Sequence, residues 1–227
     1  MTAKNIVDII LCAVTTAMGI VGLTFNSSII KKGIRKEIFI YYTNLSNIAI
    51  VLFQLSLLVS YSATDSRLHK FLSVSWLRLS VAMMILLTFI VYHFVLRPGI
   101  KKNSAESLTA EKSIGNFCVH YAVPILTFIQ WVIAADKESL RITDGLIWLI
   151  CPAVYSIFVF TRSKMIDIKS KSTCKPLSDS EKVKYPYAFL NIDVLGSARV
   201  AANIAIVGVA CALSGCFAAL LAIILSA

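Results

Sequence analysis

Six apolar stretches, most of them about twenty residues long, alternate with short polar segments along this chain. A hydrocarbon core about 30 Å thick is crossed by about twenty helical residues. The pattern predicts spans over residues 5–28, 37–61, 73–96, 114–135, 142–160 and 195–225. The 227 residues are 58% hydrophobic with a mean hydropathy of +0.80, against about 45–50% apolar in a soluble domain. The expected fold is therefore all-α, a polytopic six-transmembrane-helix bundle forming one membrane domain over residues 1–227. The first run is too long for a signal-peptide core and is expected to be a retained helix.

Charge then orients the spans. Lys31, Lys32, Arg35 and Lys36 follow the first span, and Arg97, Lys101, Lys102 and Lys112 follow the third. Arg162, Lys164, Lys169, Lys171, Lys175, Lys182 and Lys184 follow the fifth. The opposite side carries Lys4, Arg67, Lys70, Lys137 and Arg141, with Arg78 and Arg199, near span ends, left out of the count. Fifteen cations against five place the first, third and fifth loops in the cytoplasm and both termini outside. The net charge of +10 thus describes topology and contact with anionic lipid, not nucleic acid. The short loops favour a bacterial inner membrane. The loop from Arg162 to Lys184 is expected to be a mobile cationic surface segment. Cys12, Cys118, Cys151, Cys174, Cys211 and Cys216 form no CxxC pair, so neither a metal nor a disulfide framework is expected. In the last span Ala201, Ala205, Gly208, Ala212 and Cys216 recur at helical spacing, which suits close packing within a monomer or in a weak homodimer.

Polar groups inside apolar spans are costly and face protein or a wet cavity. The second span opens Tyr41-Tyr42-Thr43-Asn44-Leu45-Ser46-Asn47, and Thr43, Asn47 and Gln54 share one helix face. The fourth carries Asn116, His120, Pro124, Thr127 and Trp131 on one face, and Pro124 removes the N–H that the His120 carbonyl needs. Thr43 and His120 lie at matching depth on the same side, so a hydroxyl nucleophile and an imidazole base are a candidate pair. The alternatives are a threonine bonded to its own helix carbonyl and a histidine bridging helices. His93 is the rival base or a substrate contact. Tyr187 belongs to an interfacial aromatic segment. Asn191 and Asp193 enter from the same side, either as helix caps or as groups that orient the histidine or bind a head group. No GxSxG, HExxH or glycine-rich phosphate loop is present, and no cofactor is expected.

Three segments, Tyr41 to Asn47, His120-Tyr121-Ala122-Val123-Pro124 and Tyr185-Pro186-Tyr187-Ala188-Phe189-Leu190, together resemble the androgen-induced and androgen-dependent TFPI-regulating protein family of six-span membrane threonine hydrolases. The chain is similar to the animal members at Thr43 and differs at Asn44, Ser46 and Asn47, where it looks prokaryotic. The resemblance implies hydrolysis of fatty-acid esters of hydroxy fatty acids, with Thr43 as nucleophile and His120 as base. A lipid ester in the bilayer is then the expected partner. Asn44, Asn47, Asn116 and Asn191 are the candidate oxyanion donors, with Asp193 as an orienting group. Ser46, His93, Pro124 and Tyr187 are the candidate pocket residues. A small-solute transporter and a non-catalytic lipid-binding protein are the rival functions.

Overall fold

The computed structural model describes residues 2–27, 33, 36–97, 110–172 and 176–226. Lys31, Lys32, Arg35, Lys101, Lys102, Cys174 and Lys175 lie outside the described residues. Among the described residues six helices are long and apolar enough to cross a membrane, at Ala3–Asn26, Tyr42–Ala63, Ser75–Leu96, Glu111–Ala134, Ile142–Ser172 and Ser197–Leu225. Among the described residues there is no strand. The protein is an all-α six-helix bundle of the integral membrane class.

Five spans fall within a few residues of their expected limits, apart from the short 3-10 turn Lys36–Ile40 that separates the first loop from the second helix. The fifth does not end at 160 but continues as helix to Ser172. Its cationic extension is amphipathic. Tyr155, Val159, Ser163 and Ile166 share one buried face, and the segment expected to be a mobile loop folds back onto it. The Arg162 guanidinium holds that return, donating to the carbonyls of Val183 at 2.8 Å, Lys184 at 3.1 Å and Ser180. Lys184 bridges Asp167 and Asp193 at 2.7 Å each. Arg162→Ala removes three main-chain anchors at once, so amide hydrogen exchange over residues 178–190 is expected to accelerate while exchange in the first four spans stays as it was.

Two features shape the interior. The fifth and sixth spans meet backbone to backbone at Gly145 and Gly215, where any Cβ would strike the facing main chain. Nearer the end that carries the basic loops, the same two helices face each other across open space. The third and fourth spans each contain a π-turn, at Val91–Leu96 and Cys118–Ala122. In the fourth the cause is Pro124. With no N–H at that position the ladder widens, and the Val123 N–H donates to the Cys118 carbonyl five residues back. In the third, Pro98 follows Arg97 in the sequence just as Pro124 follows Val123, and the Arg97 N–H likewise reaches the Tyr92 carbonyl five residues back. π-Turns concentrate at functional sites because they re-aim side chains inward.

At the opposite end, the first four spans are tied together by a buried polar cluster. Asp8 accepts both Arg78 guanidinium nitrogens, at 2.8 and 3.0 Å, and also the Tyr61 hydroxyl and Gln130 amide at 2.6 Å each. Gln130 in turn accepts from the Gln54 amide at 2.6 Å.

Candidate functional site

Thr43 stands in the first turn of the second helix, whose cap residue Tyr41 supplies no side-chain bond to the free N–H groups. That matters for its hydroxyl. Thr88 and Thr127 donate to carbonyls of their own helices at 2.7 and 2.8 Å, and Ser46 does the same to Tyr42 and Thr43 at 2.8 and 3.1 Å. Thr43 has no helical turn before it to accept such a bond, and its side chain interacts with Tyr187 instead. Burial raises the Tyr187 phenol above its ordinary pKa, while hydrogen bonding from the Thr43 side chain and from the main chain of Thr43 and Tyr42 holds it down. The phenol oxygen therefore lies against the uncapped helix start, where partial positive charge collects.

His120 sits inside the fourth-span π-turn, 6% exposed. Its ring stacks on Tyr92 with centroids 3.8 Å apart and planes 12° apart. The Thr88 main chain is a hydrogen-bonding neighbour of the imidazole, and Nδ1 has no partner. A buried imidazole nitrogen without a partner is poised to take a proton or a hydrogen bond from something that enters.

Thr43 and His120 line one cavity of about 420 Å³ at the basic end of the bundle, together with Asn26, Glu37, Asn44, Lys112 and Asn116. No direct hydrogen bond joins Thr43 to His120 among the described residues: the threonine side chain engages Tyr187, and the imidazole Nδ1 has no partner. A second cavity, of about 490 Å³, runs between the third, fifth and sixth spans and is lined almost entirely by apolar atoms of residues such as Leu87, Val91, Pro152, Ile204 and Val207. Thr43, Tyr92, Leu96 and Tyr187 line both cavities. Thr43 thus stands where a polar chamber meets an apolar one. Ile157, in the wall of the apolar cavity, is 66% exposed on the lipid-facing surface, so the cavity reaches the bundle's outer face.

The other sequence-derived positions sort by their hydrogen bonds. The Asn47 amide donates to the Thr43 carbonyl at 2.8 Å and the Val119 carbonyl at 3.1 Å, tying the second span to the fourth. Asn44 lines the polar cavity, but its amide donates to the Ile38 carbonyl at 3.1 Å and its oxygen accepts from Asn26 at 3.3 Å. Asn116 lines the same cavity and makes no hydrogen bond among the described residues. Asn191 caps the short helix Ile192–Leu195, accepting from the N–H groups of Asp193 and Val194. Asp193 pairs with Lys184 and lies in neither cavity. His93 bonds the Tyr121 hydroxyl at 3.1 Å and also lies in neither. Pro124 is buried and shapes the π-turn without lining a cavity. Tyr92 was missed by the sequence reading. Its only sequence signal is its place next to His93, and what matters is the register of the π-turn, which turns it toward His120.

No known family model, curated protein or solved structure matches this chain. The fold defines an integral membrane protein of six helices, with two cavities that meet at a threonine.

Proposed function

We propose that this protein is an intramembrane lipid ester hydrolase with Thr43 as nucleophile and His120 as general base. The observation that carries the reading is the meeting of the two cavities at a hydroxyl that no helix carbonyl engages, with an unpartnered imidazole nitrogen in the wall of the polar chamber. An amphiphilic ester fits that junction with its acyl chain in the apolar cavity and its alcohol portion and incoming water on the polar side.

Thr43 Oγ1 attacks the ester carbonyl as His120 takes the hydroxyl proton, and the imidazolium returns it to the leaving alcohol. Water, deprotonated by the same imidazole, then cleaves the acyl-threonine. The Asn116 amide, in the wall of the polar chamber, is the donor proposed to face the developing oxyanion. Asn47 and Asn191 are engaged elsewhere. Tyr187 orients the threonine hydroxyl. One oxyanion donor is worth about 10²–10³ in kcat, so Asn116→Ala is expected to lower kcat by about that factor with KM little changed, measured on a p-nitrophenyl medium-chain ester. Fatty-acid esters of hydroxy fatty acids are the substrate class proposed, and the cytoplasmic leaflet the side on which the chemistry occurs.

The direct test is hydrolysis of that ester by detergent-purified protein, with a fluorophosphonate probe and peptide mapping alongside. Turnover with adduct on Thr43 supports the enzyme. Turnover with the adduct elsewhere, or no turnover at all, moves the function to lipid binding or transport.

A further inference from the structure

We infer that the apolar cavity seats a single unbranched acyl chain of up to about twenty carbons and that Gly208 limits the length it accepts; this rests on the hydrolase reading above. The size follows from volume. An apolar protein cavity of about 150 Å³ takes benzene, so each carbon needs about 25 Å³. At about 490 Å³, the cavity takes about twenty carbons at most.

The lining fixes the polarity of that ligand. Hydroxyls in the wall are turned away onto carbonyls: Thr88 onto Ile85 at 2.7 Å, Ser156 onto Pro152 at 2.8 Å, Tyr42 onto Met84 at 3.2 Å and Tyr155 onto Ile40 at 2.8 Å. What remains open toward the space is hydrocarbon, with polar groups gathered only where the cavity meets Thr43 and Tyr187. A chain enters with its carbonyl at Thr43 and its methyl end among residues of the fifth and sixth spans.

Gly208 lines that cavity from the sixth helix. A Cβ built there meets nothing within 4 Å, unlike Gly145 and Gly215, where main chain blocks it. A methyl at 208 therefore meets open space, and a longer side chain there is taken to extend into the cavity that Gly208 lines. Leucine favours helix over glycine, so Gly208→Leu is compatible with the fold while it removes room for several carbons.

The test is kcat/KM for p-nitrophenyl esters from butanoyl to hexadecanoyl, on wild type, Gly208→Ala and Gly208→Leu, with thermal stabilisation by hexadecanamide and butanamide measured on the same proteins. The hexadecanoyl-to-butanoyl ratio is expected to fall at least tenfold in Gly208→Leu, with Gly208→Ala between. Hydrolysis with an unaltered length profile in Gly208→Leu overturns the inference and leaves the hydrolase standing. No hydrolysis, but stabilisation by hexadecanamide that Gly208→Leu abolishes, keeps the chain seat and removes the hydrolase. Neither hydrolysis nor stabilisation overturns both.

Discussion

Thr43→Ala and His120→Ala are each expected to abolish ester hydrolysis while the protein still folds. A positioned general base contributes about 10²–10⁴ in rate, and removal of a nucleophile that acts with its base costs at least as much. The two losses should not add. Once the hydroxyl is gone the imidazole has nothing to deprotonate, so the double variant is expected to match the more damaging single one. Folding should survive because each variant loses only local contacts, Thr43 to Tyr187 and His120 to Tyr92 and the Thr88 main chain, while the Asp8 cluster still ties the first four spans. Thr43 bonds no helix carbonyl, and His120 Nδ1 has no partner. Thr43→Ser retains the hydroxyl and should retain measurable turnover. The assay is initial rate on a p-nitrophenyl ester with thermal unfolding of each variant, and full activity in either alanine variant removes the catalytic pair.

Asp8→Ala is expected to be the most destabilising single change in the protein. The Asp8–Arg78 pair is 5% exposed on both sides, and deleting one partner of a buried pair leaves an uncompensated charge that costs about 3–5 kcal/mol. Here Asp8 also accepts from Tyr61 and Gln130, so several donors lose their acceptor together. Asp8→Leu combined with Arg78→Met removes both charges and should recover most of the loss, since replacing both partners by apolar residues of similar volume is often neutral. Unfolding midpoints in detergent check this. A shift for Asp8→Ala no larger than that of Lys4→Ala, a change at an exposed site, rules the argument out.

The sequence carried the six spans because hydropathy and length alone determine what crosses a bilayer. It carried the fifth only as far as Phe160, because a polar helix and a polar loop have the same hydropathy. The signal that separates them was present: residues 162–172 contain no Gly or Pro, and Ser163 and Ile166 continue the helical face of Tyr155 and Val159. Thr43 and His120 could be set at one depth by counting residues, and they do line one cavity. The roles of the asparagines could not be assigned that way. Whether Asn47 faces a ligand or the Val119 carbonyl, 72 residues away in sequence, depends on how the second and fourth helices are turned against each other. The Asp8–Arg78 pair was out of reach for the same reason. Each residue alone looks like an interfacial charge near a span end, and only the packed bundle brings them to 2.8 Å.

The opening beside Ile157 has a kinetic consequence. A cavity whose mouth faces hydrocarbon is filled from the bilayer, so encounter is a collision in two dimensions. For an enzyme built this way the governing concentration is the mole fraction of ester among lipids. Adding inert phospholipid at constant total ester should then slow turnover, and an ester too hydrophilic to partition should escape hydrolysis even where its acyl group fits.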